Sequence, residues 1–440
     1  MLEPLHTASE MGAAEEGHDV SELMERAGCA VAEHLLARFP DARSFALVCG
    51  GGANGGDGRI AARALREAGR EAVETERPGG ADVVVDALFG TGFRGTPRTG
   101  AARLIQAINE AEAPVVAVDI PSGVDASTGE VPGPAVSAEL TITFHGPKVG
   151  HHVAPGLFHA GEVVVADIGL APVETEHRLV AREVLSLVPL RAPRDNKYSA
   201  GSVVVVGGSP GMTGAVCLAA QAAFRADAGY VAVVSPRESL PVIEAWVLEA
   251  VKRPLEEVWE ALERATALAV GPGLGRDHAD LVGRLLRETD LPAVVDADAL
   301  HDFEPRVGGA ATVLTPHAGE LGRLLDEASS WVAEHRLEAV QRAADRFGAV
   351  VLLKGADTLI GSPGQGVLVR PVDTSALATA GTGDVLTGVI ASFLAKGMES
   401  RLAAAAAATA HGLAASLVVH KAGLVASDVV RALPAALERG

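Results

Sequence analysis

Short apolar runs alternate with longer helix-compatible segments along almost the whole chain. In the first half, the runs of strand length are Phe45–Val48, Val83–Phe89, Pro114–Ile120, Glu139–Phe144 and Glu162–Ile168. The helix-compatible segments between them include Asp57–Ala68 and Ala101–Ala111. Because buried strands that alternate with helices are typical of a doubly wound parallel sheet, this half predicts a Rossmann-like α/β domain.

A second series of the same kind follows a stretch of mixed charge that contains several prolines. Its strands are Ser202–Val206, Tyr230–Ser235, Ala267–Val270, Ala293–Asp296, Thr312–Leu314 and Val350–Leu353. Its helices are Gly214–Asp227, Gly319–Leu325, Glu334–Arg346, Asp384–Lys396 and Leu402–His420. We therefore place a boundary near residues 185–195 and predict two three-layer α/β domains, 1–190 and 191–440.

Charge and cysteine content narrow the range of partners and compartments. A formal net charge of −19 disfavours non-specific binding to nucleic acid or to an anionic membrane. The three cysteines have no short paired spacing, which argues against a disulfide framework or a zinc site and favours a reducing compartment. The opening residues do not read as a signal peptide, and no segment approaches the ~20 apolar residues of a membrane span. We expect a cytoplasmic protein.

Three motifs of the first half follow predicted strands, where the ligand crevice of a parallel sheet lies. In the first motif, Cys49–Gly58, six of the ten residues are glycine, which permits close backbone approach and leaves amides that attract phosphate. Asn54, Asp86 and Ser122 carry hard oxygen donors that together could hold a cation. Asp119 is then available for proton transfer. Alone, each motif also fits a structural turn or a helix cap, but three at consecutive strand ends favour a site.

The second half contains further glycine loops and polar strand ends, of which Leu377–Leu386 is the strongest. Its glycines would place unpaired amides at the start of the helix Asp384–Lys396, where they stabilise charge on a transferring phosphoryl group. Asp384, expected as the first residue of that helix, is placed to accept a proton from an attacking hydroxyl, and the helix dipole should keep it ionised. No GxxxxGK[ST] motif is present, which excludes a P-loop NTPase.

The segments GGGANGGDG, VDALFGTG, VDIPSG and TFHGPK, in this order, resemble the epimerase domain of the bifunctional NAD(P)H-hydrate repair enzymes over about residues 5–170. The resemblance implies interconversion of the R and S forms of NADH or NADPH hydrated at C6 (NADHX and NADPHX). It implies potassium bound by Asn54, Asp86 and Ser122, and acid–base catalysis by Asp119. The implied hydrate contacts are Ala53, Asn54, Gly55, Gly56, Asp57, Gly90, Thr91, Gly92, Phe93, Arg94, Gly95, Thr96 and Asp119.

Position 53 departs from the pattern of that family. The family usually has two successive asparagines here; Asn54 matches the second, and Ala53 stands in place of the first. Ala53 removes a side-chain amide but keeps the length of the segment and its backbone donors. One lost hydrogen bond corresponds to ~2–13-fold in affinity. The family's usual proline in this loop is Gly51 here. Both departures predict a lower affinity for the hydrate but not the loss of the binding site.

The second half resembles the ribokinase-like superfamily, and within it the NAD(P)H-hydrate dehydratases, over about residues 195–435. The segments that carry this resemblance are KYS, GMTGA, VGPGLG, DADAL, LTPHAGE, LKGADT and ALATAGTGD. It implies dehydration of the S-hydrate to NAD(P)H at the expense of Mg²⁺-bound ADP, giving AMP and phosphate. The implied hydrate contacts are Ala215, Gly273, His317 and the catalytic Asp384. The implied nucleotide contacts are Lys354, Gly355, Ala356, Asp357, Thr358, Thr379, Ala380, Gly381, Thr382 and Gly383.

Two other interpretations stay open on the sequence. The second half could be a ribokinase-like kinase for a small molecule that releases a phosphorylated product. The first half could be a non-catalytic dinucleotide-binding module, although its retained polar residues argue against this. We expect NADHX, NADPHX and ADP as the small-molecule partners, no nucleic acid or membrane partner, and a homo-oligomer.

Overall fold

The computed structural model describes residues 1–306, 310–371 and 374–438. The strands in this part of the chain are β1 (Leu2–Leu5), β2 (Ser44–Cys49), β3 (Glu71–Glu74), β4 (Val83–Ala87), β5 (Val115–Val118), β6 (Leu140–Phe144), β7 (Glu162–Ala166), β8 (His177–Val180), β9 (Ser202–Val206), β10 (Tyr230–Ser235), β11 (Val251–Pro254), β12 (Ala267–Val270), β13 (Ala293–Val295), β14 (Thr312–Leu314), β15 (Val350–Leu353), β16 (Asp357–Ser362) and β17 (Gln365–Pro371).

The helices are α1 (Ala8–Glu15), α2 (Val20–Arg38), α3 (Ala53–Glu67), α4 (Thr99–Asn109), α5 (Leu157–Ala160), α6 (Thr213–Arg225), α7 (Leu240–Trp246), α8 (Val258–Leu262), α9 (Ala279–Glu288), α10 (Ala318–Leu325), α11 (Ser329–Glu334), α12 (Arg336–Phe347), α13 (Thr382–Ala395), α14 (Ser400–Leu417) and α15 (Ala426–Glu438). Among the described residues, none of these helices combines the length and the hydrophobicity needed to cross a bilayer.

The chain divides into two compact bodies, of which the smaller comprises Pro4–Arg178 with Ala333–Leu337. Its described strands form a parallel six-stranded sheet in the order β3-β2-β4-β5-β6-β7. Alternate residues of each strand face opposite layers: Phe45 of β2 packs with α2 and α3, and Val48, three residues further along the strand, packs with α4. The predicted doubly wound three-layer sheet is confirmed.

The larger body comprises Met1–Glu3, Leu179–Val332 and Glu338–Gly440. In its described part the sheet has eleven strands in the order β1-β8-β17-β16-β15-β14-β13-β12-β9-β10-β11. The strands from β11 to β15 in this order pair in parallel, as predicted, and β16 and β17 extend the sheet antiparallel. Strands β1, β8, β11, β16 and β17 were not predicted. The domain boundary near residue 190 stays a prediction.

Two helices that carry predicted site residues begin earlier than expected. Helix α3 starts at Ala53, not at Asp57, so half of the glycine-rich segment is helical. Its glycines allow close packing on the protein itself, because a Cβ on Gly55 would lie 1.9 Å from the carbonyl oxygen of Gly50. Helix α13 starts at Thr382, so Asp384 is its third residue and not its first. The helix predicted for residues 334–346 is confirmed as α12, which starts two residues later than predicted because Glu334 is the last residue of α11.

Candidate active sites

Side chains and backbone from successive strand ends converge in the smaller body, as predicted. Asn54 is in the first turn of α3, Gly90 follows β4 and Asp119 follows β5. A Cβ placed on Gly90 would lie 3.3 Å from Cβ of Asn54 and 3.3 Å from Oδ2 of Asp119. Gly90 therefore fills the space between these two residues, and any larger residue there would intrude on both.

Asp119 is buried and held by partners on every side of its carboxylate. Its Oδ1 lies 2.7 Å from Nζ of Lys148 and accepts a hydrogen bond of 3.1 Å from the Thr143 hydroxyl. Its Oδ2 accepts a hydrogen bond of 3.2 Å from the backbone N–H of Thr91. The backbone of Asp119 has a φ of 67°, a conformation that is strained for a residue other than glycine and that is frequent at functional sites.

These contacts keep Asp119 ionised. Burial alone would raise its pKa, but the charge and the hydrogen bond of Lys148 outweigh burial and lower the pKa below the ordinary 3.8. Because the pKa is lower in the folded than in the unfolded chain, the pairing stabilises the fold above pH 3.8. This stabilisation disappears as the pH falls through the lower folded value.

Lys148 is a component of this site that the sequence alone did not assign. Its side chain is completely buried, and its Nζ also donates to the Thr143 hydroxyl at 2.7 Å and to the Phe144 carbonyl at 2.9 Å. His151 links the backbones of Lys148 and Asp119. Its Nδ1 accepts a hydrogen bond of 3.0 Å from the backbone N–H of Lys148, so its Nε2 carries the proton and donates to the backbone carbonyl of Asp119 at 2.9 Å. Burial, followed by the Lys148 charge, lowers the pKa of His151 to about 3, so the ring is neutral.

The three predicted cation ligands form one connected group. Ser122 donates its hydroxyl to Oδ1 of Asp86 at 2.7 Å and its N–H to Oδ2 at 2.8 Å. Phe89 links this pair to Asn54: its N–H donates to the Ser122 hydroxyl at 2.9 Å, and its carbonyl accepts from Nδ2 of Asn54 at 2.9 Å. Burial raises the pKa of Asp86 to about 6 in spite of its hydrogen bonds.

One polar atom of that group lacks a partner. Oδ1 of Asn54 is buried and accepts no hydrogen bond, although its amide nitrogen is bonded. A buried acceptor without a donor is costly unless a bound species satisfies it. An amide oxygen beside a carboxylate and a hydroxyl is a set of hard ligands, so the residues present fit a cation.

The remaining predicted hydrate contacts lie on the same two segments as Asn54 and Gly90. Asp57 is buried within α3, where burial and then the charges of Asp119 and Glu15 raise its pKa to about 8, so it is protonated at neutral pH. Ala53 is exposed at the first position of α3. Arg94 forms an ion pair with Asp125 near the surface. The other predicted contacts lie in the first turn of α3 or in the loop that follows β4; they are Gly55, Gly56, Gly92, Phe93, Gly95 and Thr96.

In the larger body, the carboxyl ends of the parallel strands bring together a second group of charges. Nζ of Lys354, which follows β15, lies 2.9 Å from Oδ1 of Asp296, which follows β13. The hydroxyl of Thr387 donates to Oδ2 of Asp296 at 2.7 Å. A Cβ on Gly383 would lie 3.3 Å from Nζ of Lys354, so this pair lies against the first turn of α13. Asp296 and Thr387 were not predicted as site residues.

Asp384 differs from the expectation that the helix dipole would keep it ionised. Burial, and then the negative charge of Asp296, raise its pKa to about 7, while Lys354 opposes this rise. Asp384 is therefore close to half protonated at neutral pH. A carboxylate with a pKa near the working pH suits a general base that must accept and release a proton.

The start of α13 leaves backbone amides without a side-chain partner. The helix is preceded by Gly381, which has a φ of 88°, and no side chain caps its first amides. The hydroxyl of Thr382 holds the preceding turn against the helix, because it lies 2.9 Å from each of the carbonyl oxygens of Leu377 and Thr379 and can donate to them. Exposed Ala380 completes this turn. Free amides at a helix N-terminus form a favourable site for an anion.

Two of the predicted hydrate contacts of this body, Ala215 and Gly273, lie side by side. A Cβ on Gly273 would lie 3.1 Å from Cβ of Ala215, and the N–H of Ser209 donates to the Gly273 carbonyl at 2.7 Å. The φ of 58° at Gly273 also favours glycine there.

His317 has a structural role that the sequence did not indicate. Its Nδ1 caps α10 by accepting the N–H groups of Gly319 and Glu320 at 3.0 and 3.2 Å. Its Nε2 lies 3.5 Å from Oε1 of Glu320, and 58% of the side chain remains exposed. Among the predicted nucleotide contacts, Gly355 and Ala356 form the exposed turn between β15 and β16, while Asp357 is buried at the start of β16 and Thr358 follows it.

Two family models match the chain. Residues 203–435 match the model described as NAD(P)H-hydrate dehydratase. Residues 20–78 and 70–150 match the model described as YjeF-related protein N-terminus. The two matches correspond to the parts of the chain that hold the two sites.

Solved structures resemble the larger body. The structure of a ribokinase-like superfamily protein from Enterococcus faecalis has a TM-score of 0.55 at 24% identity and covers 61% of this chain and 98% of its own. The ADP/ATP-dependent NAD(P)H-hydrate dehydratase from Bacillus subtilis, co-crystallised with ATP/Mg²⁺, has a TM-score of 0.55 at 29% identity and covers 59% of this chain and 98% of its own. The fold and the two sites thus define an α/β enzyme with a ribokinase-like larger body.

Curated relatives match both bodies together. The bifunctional NAD(P)H-hydrate repair enzyme Nnr of Moorella thermoacetica is 38% identical over 94% of this chain and 91% of its own length. The proteins of the same name from Coxiella burnetii and Escherichia coli are 36% and 34% identical, each over 95% of this chain. The chain belongs to the family of bifunctional NAD(P)H-hydrate repair enzymes.

Proposed function

We propose that the chain repairs hydrated nicotinamide cofactors at two sites. The smaller body would interconvert the R and S hydrates of NADH and NADPH, and the larger body would dehydrate the S-hydrate at the expense of ADP, giving AMP and phosphate. The observation that carries this proposal is Asp384, a half-buried carboxylate with a pKa of about 7 in the first turn of a helix whose amides have no side-chain cap. The family membership supports both activities.

In the smaller body, inversion at C6 of the hydrate requires a bond at that carbon to break and to re-form, with a proton moved to and from oxygen. Ionised Asp119 would take and return that proton as the general base. Lys148 would keep it ionised through their contact of 2.7 Å. Asp57, protonated at neutral pH, would donate a hydrogen bond to the hydrate.

We assign a potassium ion to Asn54, Asp86 and Ser122. The orphaned Oδ1 of Asn54 supports this assignment, because it is a buried acceptor without a donor. A cation there would supply a positive charge beside the negatively charged dinucleotide, and the protein would contribute the amide, carboxylate and hydroxyl oxygens that hold it.

In the larger body, the C6 hydroxyl of the S-hydrate would attack the terminal phosphorus of ADP while Asp384 accepts its proton and AMP leaves. The amides at Gly381–Gly383 would stabilise the charge on the transferring phosphoryl group. Loss of phosphate from C6 and of the proton from C5 would then restore the C5=C6 double bond of NAD(P)H.

Nucleotide contacts are assigned to Lys354–Thr358 and to the turn before α13. Mg²⁺ would enter with the nucleotide and neutralise its phosphates. The two carboxylates of Asp296 and Asp384 beside the single charge of Lys354 fit such a cation. We choose ADP because the fusion order, epimerase half first, resembles the bacterial members of the family.

The proposal predicts recovery of NADH from a mixture of R- and S-NADHX when the protein, Mg²⁺ and ADP are supplied. The measurement is the near-ultraviolet absorbance of the reduced nicotinamide ring, with ATP tested in parallel. Recovery with one nucleotide identifies the phosphoryl donor. No recovery with either nucleotide would refute the dehydratase assignment, and a phosphorylated product that persists would favour the alternative of a small-molecule kinase.

Asn54→Ala should raise the potassium concentration needed for epimerisation by roughly tenfold, because one ligand oxygen is lost. Epimerisation is measured as the conversion of R-hydrate during a KCl titration at constant ionic strength. Asn109→Ala is the matched control, since both polar groups of Asn109 are bonded elsewhere in the same body. An unchanged potassium requirement in the Asn54 variant would contradict the ligand assignment.

We also propose that the chain forms a homo-oligomer. A cytoplasmic location stays a prediction from the sequence.

A further inference from the structure

The segment Gly90–Thr96, which follows β4 in the smaller body, is tied to the site at its start but packs loosely in its middle. At the start, the N–H of Thr91 donates to Oδ2 of Asp119 at 3.2 Å. Further along, a Cβ placed on Gly92 or Gly95 would meet no atom within 4 Å beyond its chain neighbours. Because glycine also gives the backbone unusual freedom, packing alone does not order this part of the segment.

Arg94 joins the middle of the segment to the turn that follows β5. One terminal nitrogen of its guanidinium forms an ion pair with Oδ1 of Asp125, and the other donates to the Ser127 hydroxyl at 2.9 Å. Two contacts from a planar guanidinium fix its direction as well as its position. The Arg94 side chain is 52% exposed, whereas that of Asp125 is only 13% exposed.

Asp125 is held by further contacts of its own. Its Oδ1 also accepts the N–H of Ser127 at 2.8 Å. Its backbone N–H donates to the Glu130 carbonyl at 2.9 Å, and its carbonyl accepts the N–H of Gly129 at 2.9 Å. The Ser127 hydroxyl accepts a hydrogen bond of 2.9 Å from the N–H of Ala8, the first residue of α1. The turn is therefore ordered by the body itself, and the arginine is the part that binds to it.

We propose that Asp125 is a positioning residue of the epimerase site: through Arg94 it keeps the segment Gly90–Thr96 ordered in the conformation that receives the hydrate. The inference rests on the proposed function, in which this segment contacts the hydrate. A loop that is ordered in advance binds more tightly, because binding does not have to supply the cost of ordering it. Since Asp119 and not this segment supplies the base, loss of the pairing should weaken binding more than the chemical step.

The first test is the steady-state conversion of R-NADHX, from which KM and kcat are obtained separately. Asp125→Ala should raise KM roughly tenfold and change kcat by less than about threefold. Asp125→Asn keeps an oxygen for the Ser127 N–H but loses the charge that pairs with Arg94, and it should also raise KM. Glu162→Ala is the matched control, because it removes an exposed ion pair with Arg38 in the same body and should leave both constants unchanged.

A double variant shows whether Asp125 acts through Arg94. Arg94→Ala should raise KM at least as much as Asp125→Ala does, and adding Asp125→Ala to it should cause no further rise. Effects on KM that multiply in the double variant would overturn the proposal, because Asp125 would then act by another route. An unchanged KM in both Asp125 variants would overturn it as well.

Hydrogen–deuterium exchange of the Gly90–Thr96 amides measures the order of the segment without either enzymatic activity. Exchange should be faster in Asp125→Ala and in Arg94→Ala than in the unmodified chain, and unchanged in Glu162→Ala. Unchanged exchange in Asp125→Ala would contradict the positioning role. If the unmodified chain does not convert R-NADHX, the proposed epimerase function fails, and the exchange rates alone then decide whether Asp125 orders the segment.

Discussion

Replacing Asp384 with Asn is expected to slow dehydration of S-NADHX by about 10²–10⁴-fold, while R- and S-hydrates continue to interconvert. The loss follows because asparagine preserves the shape of the side chain but cannot accept the proton of the attacking hydroxyl. Dehydration is measured from the absorbance of recovered NADH under single-turnover conditions. Asp280→Asn, at the first turn of α9, is the matched control.

The same substitution should not destabilise the protein. The pKa of Asp384 is raised from 3.8 to about 7, so the folded chain favours the protonated carboxyl and loses stability as the pH rises through about 7. Asparagine has no such charge, so the variant should have a higher melting temperature than the unmodified chain at alkaline pH. In the unmodified enzyme, the dehydration rate should rise with pH through about 7. A variant that keeps the full rate would exclude Asp384 as the base.

Replacing Lys148 with Met should abolish epimerisation and lower the free energy of unfolding by about 3–5 kcal/mol, because it leaves the buried charge of Asp119 without its partner. Stability is measured by urea denaturation followed by circular dichroism. Arg59→Met removes an exposed ion pair with Glu74 in the same body and should cost at most about 1 kcal/mol.

A double variant separates the structural from the catalytic effect. Lys148→Met combined with Asp119→Asn contains neither buried charge, so it should regain most of the lost stability and still leave R-hydrate unrepaired. Repair of S-hydrate should persist in both variants, since its residues lie in the other body. Epimerisation of R-hydrate by the double variant above the spontaneous rate would remove Asp119 as the base.

The sheets were predictable because their strands are short, continuous apolar runs. Ser202–Val206 and Ala267–Val270 have the predicted bounds, and both are completely or almost completely buried in a parallel sheet. The start of α3 was not predictable in the same way, because Gly55, Gly56 and Gly58 are poor helix formers. Tertiary contact with the neighbouring strands decides that this segment is helical.

The parts of the sites that the sequence missed depend on contacts between distant strands. The sequence leaves open whether Lys148 contacts a substrate or anchors its loop, and only the pairing of neighbouring strands brings it to Asp119. Asp296 shows a weak signal, a carboxylate directly after a buried strand, but its partner Lys354 is 58 residues away. The prediction that Asp384 is fully ionised was wrong, because the sequence indicates the helix dipole but shows neither the burial of this carboxyl nor the neighbouring charge of Asp296.

The contact of Gly55 with the Gly50 carbonyl has a consequence for how this family can diverge. The packing leaves no room for a methyl group at Gly55. Ala53, two residues earlier in the same helix, is exposed. We therefore expect substitutions to be tolerated at position 53 and to disturb the packed backbone at Gly55. Under the proposed function, Ala53→Asn is the change with which the affinity of the epimerase site for the hydrate can be adjusted without displacing that backbone.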